Sequence, residues 1–239
     1  MTGASSGIGE ATSKALAREG YAVALAARRA DRINEFAEEI SSSGGKALAI
    51  PTDVSDPDSA AALIRRAKDE LGSVDVLVNN AGVMLLGPLL GADLEHWQRM
   101  VNVNLLGLIY CTHNALPIMQ EQGQGHVVNV SSVAGRVARL GSGVYNATKW
   151  GVGAFSESLR QEALNYGVRV TIVEPGYVDT ELQGHNEHPM VVERMEKDKE
   201  QIGKVLEADD IANAIVYAVQ LPEHVSINEV LIRPTKQQG

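Results

Sequence analysis

The sequence predicts a doubly wound α/β fold, an open and mostly parallel sheet with helices on both faces. Three observations lead there. Apolar, strand-like runs alternate with amphipathic helical stretches along the chain. Several runs, such as residues 21–27 (YAVALAA), are apolar without alternation, the pattern of strands buried on both faces. A glycine-rich turn at residues 2–9 leads directly into a helical pattern, as at the ligand end of such sheets.

Composition bounds the rest. With 239 residues, 44% hydrophobic and 21% charged, the chain can bury one large α/β core, and residues 1–239 are expected to form a single domain. The 21 basic and 30 acidic residues leave a net charge of −9, which repels nucleic acid and anionic membrane, so neither is expected as a partner. The single Cys111 excludes an intrachain disulfide framework and fits a reducing compartment. No apolar run is long enough to span a bilayer, and the cytoplasm is the expected location.

Thr2-Gly3-Ala4-Ser5-Ser6-Gly7-Ile8-Gly9 opens the chain, followed by a helical pattern over residues 11–18. Glycines at G-x-x-x-G-x-G spacing make a tight turn. They let a pyrophosphate approach the backbone, where the helix N-terminus offers unpaired N–H groups. Such a turn should follow a strand, the central one of the sheet, yet almost no chain precedes it. The full-length protein is therefore expected to carry about 6–15 more residues, including an apolar strand of ordinary length. Residues 21–27 form the second strand. An acidic residue at its end would bind the ribose 2′-hydroxyl of NAD. Ala27 supplies none, and Arg28 and Arg29 follow, the residue type that accommodates the 2′-phosphate of NADP. NADP is thus expected in preference to NAD. The plainer alternative is a solvated basic loop pairing with Asp31 or Glu35.

A helix is expected over residues 31–43 and a strand over 46–51. Asp53 and Val54 then fall at that strand's C-terminal end, on the ligand side. Asp53 is placed to accept a hydrogen bond from an adenine amino group, or to cap the helix beginning near Pro57; Asp56 suits the capping role better. A strand at 74–78 ends in Asn79-Asn80-Ala81-Gly82, small residues that admit a flat ligand. The apolar loop at 84–88 is expected to line a substrate pocket. One long helix is expected over 94–122; Asn104 in its middle is unfavourable by propensity and needs a reason. The strand at 126–130 ends in Ser131-Ser132, with Ser132 placed to hydrogen-bond a substrate oxygen. Arg136 and Arg139, in the loop at 133–143, are candidates to meet an anionic substrate. A strand at 168–173 leads into Glu174-Pro175-Gly176-Tyr177-Val178-Asp179-Thr180.

Residues 180–208 are the most polar and irregular part, and a mobile lid around 181–207 is expected there. His185, Glu187, His188 and Glu193 suggest a metal cluster on composition. No helical H-x-x-x-H pair is present and Pro189 interrupts the run, so no metal site is expected. A helix at 209–219 and a strand at 229–232 complete the chain.

The chemistry is expected to turn on Tyr145-Asn146-Ala147-Thr148-Lys149. A tyrosine and a lysine four apart share a helix face, one turn from each other. A tyrosine of pKa about 10 is a poor base at pH 7; bringing it to about 7 takes ~4 kcal/mol of differential stabilisation. A neighbouring ammonium acts in that direction, helped by any positively charged bound cofactor.

Together these residues resemble the short-chain dehydrogenase/reductase family along nearly the whole chain. The matching motifs are T-G-x-x-x-G-x-G at residues 2–9, D-V at 53–54, N-N-A-G at 79–82, V-N-L at 103–105, S-S at 131–132, Y-x-x-x-K at 145–149 and P-G-x-V-x-T at 175–180, in the family's order. Ser132 lies 13 positions before Tyr145, the family's usual spacing. Within the family the chain resembles an NADP-dependent branch that includes clavulanate dehydrogenase and hydroxy-acid or amino-alcohol dehydrogenases. The runs at 26–29, 84–88 and 232–235 carry that likeness.

The resemblance implies a single three-layer Rossmann domain that interconverts a small alcohol and a carbonyl compound with NADP(H). Tyr145 would be the general acid in reduction and the base in reverse. Lys149 would hold the nicotinamide ribose and lower the tyrosine pKa. Ser132 would orient the substrate oxygen. Asn104 would fix a helix irregularity and a proton-relaying water. Gly3, Ser5, Ser6, Gly7, Ile8, Gly9, Asp53, Val54, Asn80, Ala81, Gly82, Pro175, Gly176, Val178 and Thr180 would line the cofactor, with Arg28 on the 2′-phosphate and Arg29 beside it. Some NADP-using members carry a basic residue where Ser6 stands, so the NADP assignment rests on Arg28, Arg29 and Ala27. A homodimer or homotetramer is implied, through the helices at 94–122 and 145–166 and the last strand. The rivals are a reductase of carrier-bound acyl groups, drawn to Arg136 and Arg139, and a dinucleotide-binding sensor without turnover.

Overall fold

The structure, a computed structural model, describes residues 1–238. Six strands form its sheet. β1 (Ala22–Ala27) and β2 (Lys46–Pro51) pair in parallel, Ala22 opposite Lys46. β3 (Val76–Asn79), β4 (Gly125–Val130), β5 (Val168–Pro175) and β6 (Glu229–Ile232) follow in that spatial order, also parallel. Met1 and Thr2 join the two sets: Ala26 N–H donates to Met1 O (2.9 Å) and Thr2 N–H to Val78 O (3.0 Å). The strand order reverses there, which places a ligand crevice beyond the strands' C-terminal ends.

Strand side chains alternate between two helical layers. On one face Leu25, Val128 and Val173 pack with Leu16 of α1 (Gly7–Arg18), Ile33 and Phe36 of α2 (Ala30–Ser42), and Ile211 and Ile215 of α8 (Ala208–Gln220). On the other, Ile50, Leu77, Val127 and Val170 meet Leu63 of α3 (Pro57–Leu71), Ala115 and Met119 of α5 (Gly107–Gln122) and Leu159 of α6 (Gly143–Ala163). Neighbours Val127 and Val128 thus serve opposite cores, which is why the run carries no polar alternation.

Two expectations are corrected. The stretch at 94–122 is not one uniform helix. α4 (Leu94–Val101) passes through a π-helical turn (Asn102–Leu106) before α5 begins. Tertiary contacts impose the turn: Asn104 bonds a distant loop, and a Cβ on Gly107 would meet Val54 Cγ2 at 2.8 Å and Val54 O at 3.0 Å. The region at 181–207 is mostly regular rather than irregular. A 3₁₀ segment (Glu181–His185) precedes α7 (Pro189–Ile202). Pro189 starts that helix at its first turn, where the missing N–H costs nothing.

Candidate active site

The glycine turn is set by close approach. A Cβ on Gly9 would sit 2.1 Å from Gly3 O, and one on Gly3 would sit 2.9 Å from Ala81 Cα, so backbone occupies the space a side chain needs. Gly7 adopts φ +54°. The turn is clamped to the end of β3: Thr2 Oγ1 accepts from the N–H groups of Asn80 (3.0 Å) and Ala81 (3.1 Å), and Asn80 Nδ2 donates to Thr2 O (3.1 Å). Ser6, at the N-cap of α1, makes no side-chain cap; its hydroxyl accepts from Arg29 at 2.7 Å. The first-turn N–H groups of α1 therefore keep their anion-binding capacity.

Ser132 ends the β4 side. Its hydroxyl caps a 3₁₀ turn (Val133–Gly135), accepting from Ala134 N–H at 3.1 Å, and hydrogen-bonds Tyr145. Tyr145 and Lys149 lie one turn apart on α6, both buried. Lys149 Nζ donates to Val130 O (3.0 Å) and sits 5.9 Å from the tyrosine ring centroid. Burial pushes the tyrosine up to about 12 against the Ser132 hydrogen bond, and pushes the lysine down to about 8. The expected lowering of the tyrosine by its lysine is not the balance in this protein alone. Both groups are out of water, so loss of solvation outweighs their interaction.

Asn104 is 2% exposed and commits its amide to the Val83 backbone and the Thr148 hydroxyl. Its Oδ1 accepts from Val83 N–H (2.7 Å), and its Nδ2 donates to Val83 O (2.8 Å) and Thr148 Oγ1 (3.3 Å). It thereby fixes the π turn against the loop after Gly82 and against the residue before Lys149. Asp53 accepts from the N–H (3.0 Å) and hydroxyl (2.7 Å) of Ser55; burial acts to raise its pKa, and these bonds with the Arg28 charge hold it below the usual carboxylate value. Asp56 is the cap of α3, accepting from Asp58 N–H.

One cleft of about 330 Å³ at the C-terminal ends of the strands gathers these groups. Of the expected site residues, only Gly9 and Asn104 do not line it; they act from behind its wall. Val83, Met84, Leu85, Leu86, Ala134 and Val144 form an apolar cluster with Tyr145 at one end.

A family model described as short chain dehydrogenase matches residues 1–220. The chain belongs to the short-chain dehydrogenase family. Relatives and solved structures agree. The glycine betaine reductase ATRR of Emericella nidulans is 44% identical over 235 residues, 98% of this chain and 18% of its own length. The chain thus spans less than a fifth of that relative. The closed form of a serine dehydrogenase complexed with NADP⁺ superposes with a TM-score of 0.91 at 32% identity, over 100% of this chain and 95% of that one. An alcohol dehydrogenase from the archaeon Thermococcus sibiricus complexed with 5-hydroxy-NADP gives 0.88 at 32% identity, over 100% and 97%.

Several side chains of this short-chain dehydrogenase have roles that its sequence did not disclose. Arg136 and Arg139, the candidates to meet an anionic substrate, are each paired with carboxylates. Arg136 donates through Nε to Glu174 (2.8 Å) and also pairs with Glu229, while Arg139 lies 3.5 Å from Asp198. Arg136 is a strut between the Ser132 turn and β5–β6. Asn146 ties the start of α6 to the same turn, its Nδ2 donating to Ala134 O (2.7 Å) and Val137 O (2.9 Å). Asn186 closes the 3₁₀ segment onto the apolar loop, accepting from Leu86 N–H at 2.8 Å. Arg29 pairs with Glu181 rather than with Asp31 or Glu35. Glu181, Gln183 and His185 also line the cleft, which a polar stretch without a motif gave no means of finding.

Proposed function

We propose that this chain interconverts a small alcohol and the corresponding carbonyl compound with NADP(H), using Ser132, Tyr145 and Lys149 as its catalytic residues. The observation that carries the reading is that one cleft holds the buried, Ser132-bonded Tyr145 with Lys149 one turn away and, at its other end, the glycine turn and Arg28. The residues fit the cofactor. The backbone at Gly3 and Gly9 leaves no room for side chains, and the end of α1 is free of a side-chain cap, which suits a pyrophosphate. Arg28 makes no hydrogen bond or ion pair among the described residues, and Ala27 offers no carboxylate to repel a 2′-phosphate. Bound NADP(H) supplies or accepts the hydride.

The chain's own residues do the rest. A carbonyl oxygen seated between Ser132 and Tyr145 accepts two hydrogen bonds, which polarise it as negative charge grows. Tyr145, protonated at neutral pH, delivers its phenolic proton to that oxygen as general acid. Lys149 holds the ribose hydroxyls and adds positive charge beside the phenolate that remains. Asn104 acts as a positioning residue, setting Val83 and the turn before Lys149. The apolar cluster at residues 83–86 and the lid at 181–207 select a small, largely apolar substrate. Exposed Val101, Trp150, Leu164 and Leu231 support assembly into a homodimer or homotetramer. Among the described residues no helix is long and apolar enough to cross a membrane, and a buried free Cys111 fits a cytoplasmic location. The carrier-protein alternative relied on Arg136 and Arg139, whose charges are matched by carboxylates.

The test is cofactor consumption with ketones, aldehydes and keto acids, NADPH beside NADH, in wild type, Tyr145→Phe and Arg28→Ala. NADPH-linked turnover that falls at least about a hundredfold in Tyr145→Phe is expected. Arg28→Ala should weaken NADPH binding much more than NADH binding. Full activity in Tyr145→Phe overturns the mechanism, and equal losses of both cofactors in Arg28→Ala overturn the NADP assignment.

A further inference from the structure

Arg29 reaches across the mouth of the cleft. Its Nε donates to Ser5 Oγ (3.0 Å), one terminal nitrogen to Ser6 Oγ (2.7 Å) and the other to Glu181 Oε2 (2.8 Å). The second oxygen of Glu181 lies 3.6 Å from Arg32, on the first turn of α2. Each carboxylate oxygen is therefore matched to its own guanidinium. The bond from Arg29 is the main reason this carboxyl stays below its usual range; burial acts the other way, and Ser6 and Arg32 add to the lowering. Two guanidinium groups and a serine hydroxyl form the donor set that recognises a phosphate monoester. Arg28, assigned above to the 2′-phosphate, is the neighbour of Arg29. Here the anion in that set is a side chain from the start of the lid, 152 residues away in sequence.

We propose that Glu181 is a specificity-determining residue that occupies the phosphate-recognition arginines and competes with the cofactor's 2′-phosphate for them. The inference rests on the NADP reading. A 2′-phosphate carries about −1.5 to −2 charge and three acceptor oxygens, against one charge on Glu181. It displaces the carboxylate from Arg29, and with it Glu181, which follows Thr180 at the start of the 3₁₀ segment. A cofactor without the 2′-phosphate leaves the Glu181 contacts in place. Glu181 therefore tempers the preference for NADP and couples its binding to the start of the lid.

The test is calorimetric binding of adenosine 2′,5′-bisphosphate and of 5′-AMP to wild type, Glu181→Gln and Arg28→Ala. Neither probe has a nicotinamide, so turnover plays no part. Glu181 is about half exposed, with 47% of its side-chain surface accessible, so the neutral variant should fold normally. Glu181→Gln is expected to bind the bisphosphate about three- to tenfold more tightly, the scale of two partly exposed ion pairs, with 5′-AMP unchanged within twofold. The gain should shrink at high salt. Unchanged or weaker bisphosphate binding in Glu181→Gln, while Arg28→Ala still abolishes the preference for it, overturns the role of Glu181 alone. A wild-type protein that binds both probes alike overturns the NADP reading and this inference with it.

Discussion

Replacing Asn104 by leucine, of similar volume, tests how the site is held together. The side chain is 2% exposed and gives both hydrogen bonds that satisfy the backbone of Val83, itself 5% exposed. Leucine leaves the Val83 N–H and C=O without partners, each costing about 1–3 kcal/mol when buried, or about 2–5 kcal/mol together after partial relaxation. For a chain of this size each kcal/mol lowers the melting temperature by about 2–4 °C, so a fall of roughly 5–15 °C is expected in a calorimetric or circular-dichroism melt. Asn104→Asp is the informative companion. It keeps an acceptor for the Val83 N–H but turns an oxygen towards the Val83 carbonyl, so it should be no more stable than the leucine variant at pH 7. A melting point within 2 °C of wild type for leucine would show that Val83 finds other partners and that Asn104 does not fasten the loop.

Other substitutions test other parts of the frame. His126 on β4 is buried, bonds Thr171 Oγ1 at 2.7 Å through one ring nitrogen and leaves the other unpartnered; burial, with Arg169, lowers it to about 3. The unfolded chain takes up this proton near pH 6.5, so the stability the neutral ring provides is present above 6.5 and is lost as pH falls towards 3. His126→Gln should flatten melting temperature against pH between 6.5 and 4, and an unchanged slope would refute this. Lys149 falls from 10.5 to about 8 by burial, so its ammonium costs about 3 kcal/mol below pH 8, a cost that vanishes as pH rises towards 10.5. Lys149→Met strands Val130 O at a cost of about 1 kcal/mol. It should still melt higher than wild type at pH 7, with the gap closing by pH 10; a lower melting point at pH 7 would refute the argument. Gly9→Ala drives a Cβ to 2.1 Å from Gly3 O and should weaken NADPH binding at least tenfold, measured by fluorescence titration, whereas an unchanged affinity would mean the turn yields freely.

What the sequence disclosed, and what it withheld, divides along sequence distance. Strands such as residues 21–27 were legible because burial on both faces writes an unbroken apolar run. The glycine turn and the tyrosine helix were legible because their spacing is local. The π turn was not, because its cause is a bond from Asn104 to Val83, 21 residues away. Asn104 itself shows in the sequence only as an ill-suited residue in a helix. The helix at 189–202 is hidden by its own proline, which looks like a break in the sequence and is a start in the fold. Arg136 looked like a substrate contact because its partners, Glu174 and Glu229, lie 38 and 93 residues on. The direction of the Tyr145 shift was beyond any motif, since it depends on how much water the finished fold excludes.

That exclusion bears on the protonation state from which the proposed mechanism starts. A phenol near 12 is fully protonated at pH 7, so the step that protonates a carbonyl oxygen starts from the form the protein already favours. The reverse step needs the phenolate, and from about 12 that requires ~7 kcal/mol at pH 7, more than the ~4 kcal/mol for a tyrosine in water. The Ser132 hydrogen bond favours the phenolate, as a neighbouring ammonium does in general, but the lysine, at about 8, sits close to losing its charge. Burial thus moves acid and ammonium towards neutrality together, and the chain alone is disposed to give a proton rather than to take one. In the proposed mechanism, oxidation of an alcohol would call for further positive charge beside Tyr145 to favour the phenolate.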